Sequence, residues 1–211
     1  MRPVPARVPA PARLPAPGAR AWLAVAAVAA AGALVVWALP APWRGRLDWQ
    51  PALAGSQPWR WWTAAGVHWS GLHLAANLGA TVLVAALGVV AGLPRRVALA
   101  WAAAWPLTQL GLLLQPALLH YGGLSGVLHA GVAAAVITLL WRESGRRRTI
   151  GAVLGTGLVL KIVSETPWAG PLVHPAAWDI AVAPLALATG ALAGALCTVA
   201  ALAWPDPATR R

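Results

Sequence analysis

Six long apolar runs, at about 22–39, 73–93, 97–119, 125–141, 150–163 and 180–204, dictate the solvent in which this chain folds. Most of them approach the roughly 20 residues that a helix needs to cross a hydrocarbon core. In lipid every backbone N–H and C=O must find its partner within the protein, so such runs predict helices. Apolar residues fill 59% of the 211 positions and charged ones only 10%, whereas a soluble domain carries about 25% charged. The expected fold class is an all-α membrane protein with a six-helix membrane domain over 22–205. A disordered Pro/Ala/Arg-rich tail is expected at 1–21 and a short basic tail at 206–211. The first apolar run is too long for the core of a cleaved signal peptide.

Charge then orients the bundle. The N-terminal tail, the connections PRR and RESGRRR, and the C-terminus together hold twelve arginines, against Arg44, Arg46 and Arg60 in the remaining connections. Basic residues stay on the cytoplasmic side, so both termini are expected inside. The formal charge of +11 is explained by the same pattern, which argues against a nucleic-acid partner and for membrane lipid. Several tryptophans, Trp43, Trp59, Trp141 and Trp204 among them, fall near the ends of the runs, where an indole keeps its ring apolar and its N–H wet. Cys197 is the single cysteine, so no intrachain disulfide framework exists. No Cys/His spacing indicates a metal, and no cofactor is expected.

Two short stretches carry polar groups where apolar ones would be cheaper. HYGGLSGVLHAG places Ser125 behind Gly122 and Gly123 at the start of the fourth run. Gly122 and Gly126 form a GxxxG pair, which lets helices approach closely, and Ser125 can simply bond to its own backbone. The loop before it, QPALLHYGGL, has little charge and is expected to dip into the membrane against protein or a water-filled cavity. HWSGLHLAAN supplies His68, His73 and Asn77, the last two four residues apart and so on one helix face. Such groups serve either as interhelical hydrogen bonds or as donors to a developing oxyanion.

HWSGLHLAAN resembles the H-x4-H-x3-N signature of rhomboid intramembrane serine proteases, and GGLSG resembles that family's G-x-S-G nucleophile motif at the start of its fourth span. PWRWWTAAGVHWSGLHL is similar to the Trp-Arg first loop of the same family. YGGLSGVLHAG, the short chain, and the pair Lys161 and Glu165 resemble the rhombosortase branch, which is associated with C-terminal GlyGly sorting signals. The resemblance covers nearly everything after the tail. It implies a six-helix bundle in the bacterial inner membrane, with its active site toward the outer face. Ser125 would be the nucleophile, and His73, Asn77 and the Ser125 N–H would hold the oxyanion. Gly122 would admit the substrate backbone, and His129 stands where many rhomboids keep an aromatic ring. The substrate would be an exported transmembrane protein with a GlyGly motif and a C-terminal anchor.

The family's sixth span carries a histidine three residues before a glycine pair. Here LALATGALAGAL keeps the pair, Gly190 and Gly194, but has Leu187 at the histidine's position. Leucine has no atom that takes a proton, and loss of the base alone costs a serine hydrolase about a millionfold in turnover. The chain as written is therefore expected to be nearly inactive. It is either a natural pseudoprotease that binds membrane helices or an active protease altered at one position, and the intact remainder of the apparatus favours the second. His129, one helical turn after Ser125, is a weak substitute for the base. A transporter is the remaining class. Lys161 suits one, but Glu165 can pair with it, and no inverted repeat is visible.

Overall fold

A computed structural model describes residues 16–204. Among these residues the chain is all-helical, without a strand, apart from isolated antiparallel bridges at Trp49–Tyr121 and Val173–Val182. Its long helices are α1 (Pro17–Ala38), α2 (Gly71–Ala91), α3 (Arg95–Leu110), α4 (Ser125–Arg142), α5 (Gly145–Ser164) and α6 (Leu185–Ala203). Five of them are long and apolar enough to cross a membrane: α1, α2, α3 with a 3-10 extension to Leu114, α4 and α6. The exception to the expected six is α5. Arg146, Arg147 and Arg148 open it and Lys161 lies near its end, so no long weakly charged window remains within its 20 residues.

Helix ends follow local chemistry, and several differ from expectation. Pro17 occupies the first turn of α1, where its missing N–H costs nothing, so residues 17–21 of the expected tail are helical. Residues 1–15 and 205–211 lie outside the described region. At the start of α2 the Ser70 hydroxyl accepts from His73 N at 3.0 Å, a side-chain cap. Gly92, at φ 64°, closes α2 in the left-handed region, and Pro94 then leads into α3.

Where the sequence predicted one span over 97–119, α3 stops at Leu110 and tightens into a 3-10 turn. The Thr108 carbonyl accepts from the Thr189 hydroxyl of α6 at 2.8 Å. That bond, and the Thr189 side chain wedged against Gly111, pull the end of α3 onto α6. Likewise α6 begins at Leu185, not near 180, because Val182 is bridged to Val173 and Pro184 restricts the residue before it to extended backbone.

α4 lies at the centre and is the most buried of the five apolar helices. Two buried indoles tie the bundle together, a role that reading tryptophans as interface anchors does not anticipate. Trp22 of α1 donates to the Val84 carbonyl of α2 at 2.9 Å, and Trp101 of α3 donates to the Val127 carbonyl of α4 at 2.8 Å. Their rings lie 4.3 Å apart. Each indole thus buries its ring and satisfies its N–H, the condition for a tryptophan in a core.

α6 packs most extensively on α4, and glycine permits it. A Cβ on Gly190 would lie 2.0 Å from the Gly126 carbonyl oxygen, and one on Gly194 would lie 2.2 Å from the Ala130 carbonyl oxygen. The α4 side of this crossing is therefore Gly126 and Ala130, one turn further along than the Gly122–Gly126 pair read from sequence. Gly122 instead lies outside the helix, against Val67.

Candidate active site

A cavity of about 220 Å³ opens beside the N-terminus of α4, and its wall includes Ser125, His73, Asn77, Gly122, His129 and Leu187. Thus α2, α4 and α6 bring together most residues singled out in the sequence. Residues 121–124 leading to Ser125 are buried in protein, while most of the loop before them is exposed. They are fixed by backbone pairing of Tyr121 with Trp49 in both directions, at 2.7 and 2.9 Å, and by Gly123 N donating to the Ala64 carbonyl at 3.0 Å.

Gly123 has φ 130°, in the region that favours glycine. A Cβ there would meet His73 Nε2 at 2.7 Å and Asn77 Nδ2 at 3.7 Å. The backbone before the serine therefore passes directly over the two side-chain donors. At the same point the first N–H groups of α4 lack acceptors within the helix, and the helix dipole adds positive potential. Asn77 spends one N–H on the His73 carbonyl, at 3.2 Å, and its amide has a second to offer. Together these groups make a pocket suited to an oxygen that gains negative charge.

Among the described residues no imidazole or carboxylate hydrogen-bonds the Ser125 hydroxyl. Leu187 is buried on the wall where the sixth helix faces the cavity. The His129 ring turns back along α4, with Nδ1 2.7 Å from the Ser125 carbonyl oxygen, so it engages the serine's backbone. Lys161 near the end of α5 and Glu165 just after it form an ion pair on the wall of the same cavity. His68 does not line the cavity. It is fully buried behind His73, ring centroids 4.7 Å apart, with Nδ1 3.1 Å from the Gly66 carbonyl oxygen. Burial lowers its pKa below the ordinary 6.5; Gly66 opposes the shift and Arg44 adds to it.

Three further features leave almost no local sequence signal. Tyr121, four residues before Ser125, is buried with its hydroxyl donating to the Gly123 carbonyl at 3.5 Å, and burial pushes its pKa up to about 12, against an opposing influence of the Ser125 side chain. His120, also on the cavity wall, lies 2.6 Å through Nδ1 from Oδ2 of the fully buried Asp48. The other Asp48 oxygen accepts from Arg60 at 2.7 Å and Gln50 at 2.9 Å, so one carboxylate joins the first connection to the approach to Ser125. Finally, the loop between α5 and α6 closes over the site. Ser70 Oγ donates to Asp179 at 2.7 Å, and Trp178 meets His73 edge-on at 6.2 Å. An isolated aspartate among the tryptophans and arginines of the first connection was the one available hint.

No family model matches this chain, and no curated protein or solved structure gives a significant match.

Proposed function

We propose that this chain is a rhomboid-like intramembrane serine endopeptidase of the rhombosortase kind, halted by Leu187 at the position of its base. The observation carrying this reading is the shared cavity of Ser125, the donors His73 and Asn77, and residue 187. In this reading α5 is a sixth, more highly charged crossing, both termini are cytoplasmic, and the cavity opens to the outer face of a bacterial inner membrane.

With histidine at 187, the imidazole takes the Ser125 proton as Oγ attacks the scissile carbonyl carbon. His73, Asn77 and the Ser125 N–H hold the resulting oxyanion. Collapse breaks the C–N bond, the imidazolium returns its proton to the departing amine, and water later hydrolyses the ester. The substrate is an exported protein with a GlyGly motif before a C-terminal membrane helix and basic tail. The purified protein and its Leu187→His form are incubated with such a substrate. The histidine form releases the anchor, and its Ser125→Ala derivative does not. No Ser125-dependent product from the histidine form sinks the reading.

A buried apolar residue at 187 also favours a second role for the chain as written, a pseudoprotease that holds membrane helices without cutting them. That role predicts co-purification of the substrate and an unchanged phenotype in Ser125→Ala.

A further inference from the structure

Away from the cavity, α1 and α3 enclose an outward-facing groove of about 550 Å³ with almost wholly apolar walls. Its α1 side runs from Ala24 to Val36, roughly 18 Å of helix, close to the depth of one leaflet of a ~30 Å hydrocarbon core. Gly32 forms part of the floor, and a Cβ there would meet nothing within 4 Å.

Charge at one end of the groove selects the occupant. Thr63 lines the groove, and its hydroxyl donates to the Leu47 carbonyl at 2.6 Å; the Trp59 indole donates to the Arg46 carbonyl at 3.2 Å. The one-turn helix Arg44–Leu47 is thereby held over the groove's end. The Arg44 guanidinium lies 4.4 Å from the centre of the Trp37 ring, next to the groove-lining Val36, and the Arg46 guanidinium lies 5.1 Å from Trp43. Among the described residues neither arginine has a carboxylate partner, and Arg44 Nε is buried without a hydrogen-bond acceptor. Stacking on an indole leaves a guanidinium's charge and in-plane donors available to an anion.

We propose that this groove binds one acyl chain of an anionic phospholipid whose phosphate rests on Arg44 and Arg46. The apolar channel of single-leaflet depth takes the chain, and the two cations at its end take the headgroup. This is independent of any chemistry at Ser125.

The test is native mass spectrometry of the full chain in mild detergent, titrated with phosphatidylglycerol or with phosphatidylcholine of the same acyl chains. One phosphatidylglycerol is expected to bind in preference to phosphatidylcholine. Replacing both arginines by alanine should weaken phosphatidylglycerol about 30-fold, at roughly fivefold per basic residue, and weaken phosphatidylcholine, whose ammonium offsets its phosphate, much less, so that the preference is lost. Gly32→Leu places a side chain in the open floor and should expel both lipids without lowering the melting temperature. Equal retention of the two lipids, undiminished binding in Gly32→Leu, or a co-purifying polypeptide in place of lipid overturns the proposal.

Discussion

Replacing Gly190 by alanine tests whether α4 and α6 are joined as described. The new Cβ would lie 2.0 Å from the Gly126 carbonyl oxygen, a backbone atom that cannot rotate away. Restoring the 3.0 Å below which such contacts essentially never occur moves the helices apart by about 1 Å. A gap of that size forfeits a quarter to a half of the dispersion energy at each facing contact. Overpacking of this kind costs about 2–3 kcal/mol, and the better helix propensity of alanine returns up to about 1 kcal/mol. The net loss is about 1–2 kcal/mol, a fall of roughly 2–8 °C in melting temperature for a chain this long. Gly79 supplies the internal control, because a Cβ there meets nothing within 4 Å. Gly79→Ala is the same chemical change on an open helix face and should raise the melting temperature. Thermal unfolding of both variants in one detergent, followed by circular dichroism, gives the comparison. Shifts of the same sign would refute the glycine-notched crossing.

Three other outcomes follow from the loops. Asp48→Asn strips the carboxylate from Arg60, which is 4% exposed, and should cost about 3 kcal/mol in detergent unfolding; adding Arg60→Met should recover part of that loss. Because burial lowers the pKa of His68 in the folded chain, unfolding takes up a proton there once the pH drops below 6.5. Stability should therefore be steady above 6.5 and decline toward pH 5, with a shallower decline in His68→Gln measured by melting temperature against pH. Asp179→Ala removes the acceptor of Ser70 and should speed amide exchange across 173–182, while the Ser70 cap on α2 persists.

Much of the architecture was legible because lipid forces local solutions. Apolar length and the arginines placed α1, α2 and α4 within a few residues, and the spacing of His73 and Asn77 put them on one face. Gly190 and Gly194 announced a close crossing, although only the structure pairs them with Gly126 and Ala130. What escaped depends on partners distant in sequence. The end of α3 depends on Thr189 of α6, and the start of α6 on a bridge to Val173. The approach to Ser125 depends on Trp49 and Asp48, 72 residues upstream of Tyr121 and His120. The apolar stretch at 150–163 read as a crossing, yet its helix begins on three arginines, so its character is divided.

The Asp48 carboxylate sets an order of assembly on a chain made from its amino end. Arg60 emerges soon after it and can pair at once, but Trp49 and His120 must wait for the segment before α4. Until synthesis passes Leu124, the connection between α1 and α2 is a half-finished plug with its backbone edge unclaimed. Sealing that edge fixes only the backbone before the serine; the pocket is finished when the α5–α6 loop and Leu187 of α6 reach its wall, so no nascent product that stops short of α6 can carry it.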